Sequence, residues 1–515
     1  MRFPFAVFFA LYASHLLFSQ VAHMWVSCEL YPENPIWFTQ PPDTSDIRYK
    51  LTPAHIVCST TQSSNAEIHS FTLRAQETDQ TLFGIGTSLE ETTVYAIRKN
   101  KNEKEIRDIL RALIDPEKGI GMNLFRITIG TSDFSDARTI STHPQGFYSY
   151  QDHIDDKFSI QNDLDLGIID VLKLALEVAG ECEPPQQITF FASCWSPPPW
   201  MKTSGSLIGG TLKKGYESKL ALYFRKFIQA YQSHGIPISA MTIQNESNFT
   251  PETYPGMRLT WQRERDLVIA IYEEFQRHPK INTKLWIIDH NFEYWKKADK
   301  ILTSLAKMGK KSYVDAVAFH DYSSAPASNM RKLQKRHPGI NVQFSEMSKY
   351  GVRGMVDIQN YFWNGAQSYV YWVTMSTQNP AEHNQGPYNN LRMLSPTLLI
   401  KTDGDNPDWY FNADYYLLGQ FSRFIRPGAV RIECDRGTPE SLTAVAFQNP
   451  ENDIVIVFVN QTERSQPFQI IHEGHFYTSD IPAQSVGTVK ILPLKAKTPK
   501  SLEQPRKAET GRIFH

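Results

Sequence analysis

From about residue 81 the chain repeats one pattern eight times: a short apolar run rich in β-branched and aromatic residues, then a longer stretch, in several cases with helical spacing. The runs are 82–89, 124–131, 188–195, 238–245, 285–290, 314–322, 342–346 and 369–375. They read as continuous apolar segments rather than alternating ones, the pattern of strands buried on both faces in a parallel sheet wrapped by helices. Between them Ile106, Ile109, Leu110 and Leu113 fall at i, i+3, i+4 and i+7. Leu220, Tyr223, Phe224, Phe227, Ile228 and Tyr231 extend the same rule over three turns, so both stretches carry an apolar stripe that packs on a sheet. Alternating strands and helices predict an α/β fold, and eight strands close a (β/α)8 TIM barrel. A doubly wound open sheet is the runner-up, weakened because no G-x-G-x-x-G turn follows a strand.

Beyond a last helix placed at 415–425 the pattern becomes β-rich at 442–447, 454–459 and 486–492, with Asn449-Pro450-Glu451-Asn452-Asp453 as turn chemistry between two strands. This predicts an associated all-β, sandwich-like domain. Residues 67–78 also read as strand, so the N-terminal segment is expected to contribute to that domain. The first residues place one positive charge, Arg2, before an apolar run reaching about Phe18, shorter than the ~20 residues of a membrane span. The predicted division is a signal peptide at 1–22 (cleavage near Ala13 or Ala22), an N-terminal segment at 23–79, the barrel at 80–425, the β-domain at 426–494 and a polar, disordered tail at 495–515. The expected location is therefore secreted or secretory: extracellular, lysosomal or periplasmic.

Charge and composition remove several function classes. Lys+Arg number 53 and Asp+Glu 54, a formal charge of −1, so no electrostatic excess draws the chain to nucleic acid or an anionic membrane. Membrane contact is expected only through a lipid substrate. Five cysteines, Cys28, Cys58, Cys182, Cys194 and Cys434, show no C-x-x-C spacing, so neither a zinc site nor a redox motif is supported. At most two disulfides can form; Cys28–Cys58 is one plausible pair, and the sequence alone does not set the connectivity. No metal and no cofactor is expected; His320-Asp321 lacks a third ligand at useful spacing. Sequons begin at Asn245, Asn248 and Asn460. Aromatics at 12% suit either sugar-ring recognition or a large core.

In such a barrel the chemistry sits at the C-terminal ends of the strands. Glu246 ends the fourth run and Glu346 the seventh. One of these residues alone reads as a loop charge; two at matching strand ends can divide glycoside hydrolysis, one protonating the leaving oxygen while the other attacks the anomeric carbon.

Asn245-Glu246 and Glu346 resemble the Asn-Glu acid/base and the Glu nucleophile of clan A retaining glycosidases. Longer segments narrow the resemblance to glycoside hydrolase family 30, the glucosylceramidase-like family. Asn123-Leu124-Phe125-Arg126 followed by Asp133-Phe134-Ser135 is similar to its second-strand motif. The most specific segment, Ala192-Ser193-Cys194-Trp195-Ser196-Pro197-Pro198-Pro199-Trp200-Met201-Lys202-Thr203, resembles its third. Residues 417–427 resemble its last helix. The resemblance implies Glu346 as nucleophile, Glu246 as acid/base, Asn245 on the sugar 2-hydroxyl and hence an improbable glycosylation acceptor, and Arg126 holding Glu346 ionised. It further implies Trp195 and Trp372 as walls of the sugar pocket, with Tyr322, after His320, hydrogen-bonding the nucleophile.

Three positions depart from the pattern. Leu89 stands where an Asp is expected to grip the sugar's outer hydroxyls, which leaves Glu90 or Glu91 as substitutes. Asp289-His290-Asn291 replaces a more acidic pair after the fifth strand, and Asp321 stands where glucosylceramidases usually carry Trp. Together these imply a retaining β-glycosidase with an altered specificity shell, acting on a glucosylceramide-like glycoside, a β-glucan or a related carbohydrate or glycolipid. The alternative is a non-catalytic carbohydrate-binding protein on a diverged barrel.

Overall fold

The computed structural model describes residues 21–28, 48–63, 67–137, 146–379, 382–387, 397–402 and 408–493. The expected signal peptide up to residue 20, and the expected tail, lie outside the described residues. Ala22 already begins a strand, Ala22–Cys28.

Parallel strands occur at every predicted run: Gly84–Ser88, Leu124–Thr128, Thr189–Ser193, Ile238–Thr242, Lys284–Asn291, Ala316–His320, Asn341–Glu346 and Ser368–Tyr371. They form one eight-stranded sheet in which the first seven strands pair in sequence order and the eighth pairs with the first. The seam between the seventh and eighth is bridged rather than laddered. Gln367 N donates to Val342 O at 2.8 Å and Met347 N to Val370 O at 3.2 Å, while Ser368 Oγ accepts from Phe344 N at 3.1 Å. The amphipathic stretches form helices at Glu103–Ile114, opened by a capping box between Asn102 and Glu105, and at Glu217–Ser233.

Inside the barrel, Leu124, Phe191, Ala240, Trp286, Ala316, Ala318 and Val370 form an apolar plug. Trp286 fills the space that three alanines leave, with its ring 5.0 Å from that of Phe191. Side chains alternate along a strand, so the residue two positions on from a plug residue faces the same interior one layer higher. That step leads from Leu124 to Arg126, Phe191 to Ser193, Ala240 to Thr242, Ala318 to His320 and Val370 to Trp372. The sequence thus sets polar and aromatic groups directly above the plug.

Two β-bulges flank the sixth strand. Phe319 pairs with Phe344 but His320 with Glu346, which makes Ser345 the additional residue of the seventh strand. On the other side Ala318 pairs with Ile288 but Phe319 with His290, which makes Asp289 the additional residue of the fifth.

The β-domain is a ten-stranded sheet in the order Thr52–Ala54, Ala22–Cys28, Ser485–Ile491, Ile454–Asn460, Thr443–Gln448, Val430–Cys434, His69–Thr81, Gln466–His472, His475–Ile481, Val57–Ser59. It folds back on itself around Phe71, Phe458 and Phe468, with Phe458 and Phe468 centroids 4.5 Å apart. The N-terminal segment does enter this sheet: Ala22–Cys28 lies antiparallel to Ser485–Ile491, and His69–Thr81 bridges Val430–Cys434 and Gln466–His472. The last helix, Ala413–Ser422, packs between the two units. Gln420 Nε2 donates to Ser27 Oγ at 2.8 Å, and Ser422 Oγ donates to Ile120 O at 2.6 Å.

The Cys28–Cys58 disulfide is absent, and all five thiols are free. Cys28 is buried against Ala413, whereas Cys58 is exposed on Val57–Ser59, a strand at the opposite end of the sheet order. Among the described residues no helix is long and apolar enough to cross a membrane.

Candidate active site

Above the plug the strand ends converge on two glutamates. Glu346 ends the seventh strand and is 5% exposed. Its Oε2 accepts from the Arg126 guanidinium and its Oε1 from the Tyr322 hydroxyl, the latter at 2.8 Å. Tyr322 exposes much of its ring while its hydroxyl end meets this carboxylate. Glu246 leaves the fourth strand in the left-handed region, φ 48, a conformation uncommon outside glycine and held here by its own N–H, which donates to Asp289 O at 2.9 Å.

Arg126 is fully buried, and every polar edge of its fork is engaged. Nε donates to Ser193 Oγ at 3.1 Å, and Nη2 donates to Asn245 Oδ1 and to Asp289 Oδ2, each at 2.9 Å. The guanidinium carbon lies 4.8 Å from the Trp195 ring centroid and 5.2 Å from that of Trp372. The two indoles stack with centroids 5.3 Å apart. The guanidinium thus ties Glu346, Asn245, Asp289 and Ser193 together from beneath. With Asn245 Oδ1 fixed by Arg126, its amide nitrogen is the end left to face a ligand. The residue is itself buried, which closes it as a glycosylation acceptor. Asn460 is equally closed, its Nδ2 donating to Arg464 O at 2.7 Å.

Asp289 is also fully buried. Its Oδ2 accepts from Arg126 and, at 2.7 Å, from Thr242 Oγ1; its Oδ1 accepts from Ser345 Oγ at 2.6 Å and His320 Nε2 at 3.0 Å. Burial favours the neutral acid, but the Arg126 and His320 charges outweigh it and hold this carboxyl below the usual range. His320 shows the complementary balance. Burial disfavours its charge, yet Glu346, Asp289 and Glu246 raise it to about 10. With both ring nitrogens protonated, Nε2 donates to Asp289 and Nδ1 to Glu246 Oε1 at 3.3 Å. Glu246 itself is pushed up, chiefly by burial, against the opposing pull of His320.

Three carboxylates near the strand ends are engaged away from the two central glutamates. Glu90 caps the helix Glu91–Arg98, its Oε1 accepting from Thr93 N at 2.9 Å, and no described hydrogen bond joins it to either central glutamate. Glu91 accepts from Asp136 N at 2.6 Å and pairs with His383 at 3.1 Å. Asp321 accepts from the Tyr361 hydroxyl at 2.5 Å and pairs with Lys349 at 2.9 Å. Asp133, quoted from sequence only within a motif, does belong to the site. Burial and then the neighbouring Glu346 and Glu246 raise its carboxyl well above the usual range. Its Oδ1 and the Trp372 Nε1 are buried without a hydrogen-bond partner. The bulged Asp289 and Ser345 carry no signal of their inward turn in the sequence.

A metal trio does arise in space: Glu246, His290 and His320 place one ligand atom each within 4.8 Å of one another. Both His320 ring nitrogens already meet carboxylates, Nε2 at Asp289 and Nδ1 at Glu246, so a cation here would have to take the place of the proton shared with Glu246.

Known proteins resemble this chain across both the barrel and the β-domain. The model described as the glycosyl hydrolase family 30 TIM-barrel domain matches residues 82–425, and that of the family 30 beta sandwich domain matches 428–489. An endo-1,6-beta-D-glucanase of Neurospora crassa is 28% identical over 407 residues, 74% of this chain and 78% of its own length. The lysosomal acid glucosylceramidase of Mus musculus is 24% identical, covering 78% of both chains. A solved endo-beta1,6-glucanase superposes with a TM-score of 0.76 at 22% identity, covering 92% of this chain and 99% of that one.

Proposed function

Because the chain belongs to glycosyl hydrolase family 30, and is thus a β-glycoside hydrolase acting on a carbohydrate or glycoconjugate, we propose that it works by double displacement with retention at the anomeric carbon. The observation that carries this reading is the unequal pairing of the two strand-end glutamates. Glu346 lies against a buried, always-charged guanidinium and accepts a second hydrogen bond from the Tyr322 hydroxyl, which fix its carboxylate in place at the strand end. Glu246 is pushed upward by burial against the pull of His320, the setting of an acid that keeps its proton to higher pH than an ordinary carboxyl does.

In the first step a Glu346 oxygen attacks the anomeric carbon as Glu246 gives its proton to the departing glycosidic oxygen, leaving a glycosyl ester on Glu346. In the second, Glu246 takes a proton from water as that water's oxygen attacks the anomeric carbon and releases Glu346. Arg126, Asp289 and His320 are positioning residues, while the Asn245 amide nitrogen supports the sugar 2-hydroxyl. Trp372 Nε1 and Asp133 Oδ1, buried and unpaired in the folded chain, are matched to ring hydroxyls, which restore their missing hydrogen bonds.

The favoured substrate is a β-linked glucoside, the sugar shared by the names of the glucanase and glucosylceramidase relatives, and the apolar leader at the N-terminus favours a secretory location. A panel of aryl β-glycosides assayed with the parent and Glu346→Ala tests the function: activity confined to the parent supports it, and full activity in the variant sinks it. A carbohydrate-binding protein without turnover predicts calorimetric binding and no product across the panel.

A further inference from the structure

His290 lies in the Asp289-His290-Asn291 segment that departs from the family pattern, and the two steps of catalysis give it no task. It lies at the end of the fifth strand, just past the bulged Asp289, with its side chain 5% exposed. Its ring stacks on Tyr294, centroids 4.3 Å apart, and Nδ1 is 3.6 Å from Glu246 Oε1, beyond hydrogen-bond length. Neither ring nitrogen has a hydrogen-bond partner. Burial, with the nearby charges of His320 and Lys297, pushes the imidazole down to about 3, so it is neutral at working pH. It then offers one N–H donor and one acceptor lone pair, both unsatisfied, beside the acid/base carboxyl.

Side tells what such a group meets. In the proposed mechanism Glu246 protonates the bridging oxygen, so a side chain against Glu246 lies on the leaving-group side of the scissile bond. His290 approaches Glu246 and makes no described contact with Glu346. A hydroxyl both donates and accepts, and so satisfies a neutral imidazole; an alkyl chain or bare aromatic ring would keep it buried and unpaired.

We propose that His290 is a specificity-determining residue that hydrogen-bonds a hydroxyl of the leaving group, which makes the preferred leaving group a second sugar rather than a lipid or other apolar alcohol. This rests on the β-glucosidase reading above and deepens it by naming the leaving-group class.

The test compares the parent with His290→Phe, which keeps the stack on Tyr294 and removes both polar atoms, on two substrates. One is a β-linked glucose disaccharide. The other is octyl β-glucoside, whose alkoxide needs the same protonation but has no hydroxyl. The expected result is a fall of about ten-fold in kcat/KM on the disaccharide with less than about a two-fold change on the octyl glucoside. His290→Gln, which returns a donor and an acceptor, should recover part of the loss and replaces the Phe variant in the comparison if that one does not fold. Equal losses on both substrates would mean that His290 acts through Glu246, and no loss on either would mean it meets no hydroxyl; each overturns the inference alone. A parent inactive on both overturns the β-glucosidase reading as well.

Discussion

Ser345 Oγ donates a 2.6 Å hydrogen bond to Asp289 Oδ1, and each of these residues is the additional residue of a β-bulge, one on either side of the sixth strand. The two bulges therefore hold each other in register and aim Asp289 at both Arg126 and His320. Removing that carboxylate leaves two buried cations short of a partner. Asp289→Ala is expected to lose about 3–5 kcal/mol of stability in denaturant titration, as broken buried ion pairs do. Ser345→Ala removes one hydrogen bond to a charged group and should cost about 1.5–3 kcal/mol.

Arg126→Lys keeps the charge but not the planar fork that reaches Ser193, Asn245, Asp289 and Glu346 together. The turnover number should fall by roughly 10²-fold, in the range of losing one oriented electrostatic contact. KM should change little, since the guanidinium is fully buried beneath the ligand-facing groups. Steady-state kinetics on one aryl β-glucoside separates the two terms.

The pH profile follows from Glu246 and His320. Glu246 is raised above an ordinary carboxyl, so its acid form persists to higher pH, and kcat/KM should decline only as pH climbs through that raised value. His320 pulls Glu246 down, so in His320→Gln the alkaline limb should move to still higher pH. Stability carries the opposite sign. His320 is raised from 6.5 to about 10, so its contribution is complete below pH 6.5 and lost as pH rises through about 10. The stability difference between parent and His320→Gln should shrink across that window in denaturant titrations at stepped pH; a difference that grows with pH would contradict the assignment.

Asp133 and Trp372 hold polar atoms that are buried without a hydrogen-bond partner. Asp133→Ala should lower kcat/KM by at least about ten-fold on glycosides with intact ring hydroxyls, the range of a lost substrate hydrogen bond. The loss should shrink on the deoxy sugar lacking the hydroxyl concerned, which a series of monodeoxy aryl glucosides would identify.

The barrel was legible because each strand is a continuous apolar run, and the strand-end position of Glu246 and Glu346 followed from it. Arg126, Trp195, Trp372 and Tyr322 also reach the cluster, placed there by the two-residue alternation above the plug. Asp289 and His320 reach it too, but as fully buried anchors. Glu90 serves as an N-cap through Oε1 while its Oε2 stays buried without a partner, a division of one carboxylate that a position just before a helix does not reveal in sequence. The bulges at Asp289 and Ser345 are register events between strands, invisible in either strand alone. The strands Gln466–His472 and His475–Ile481 went unread because their mixed polar sequence gains its partners from His69–Thr81 and Val57–Ser59, far away along the chain.

The central claim is that Glu346 becomes glycosylated. Incubation with a 2-deoxy-2-fluoro-β-glucoside bearing a good leaving group slows the second step, and peptide mass spectrometry then locates the sugar. A single fluoroglucosyl adduct on Glu346, absent from Glu346→Gln, is the predicted result. Full turnover of β-glucosides with no adduct on Glu346, accompanied by release of the α-anomer in proton NMR, would contradict it.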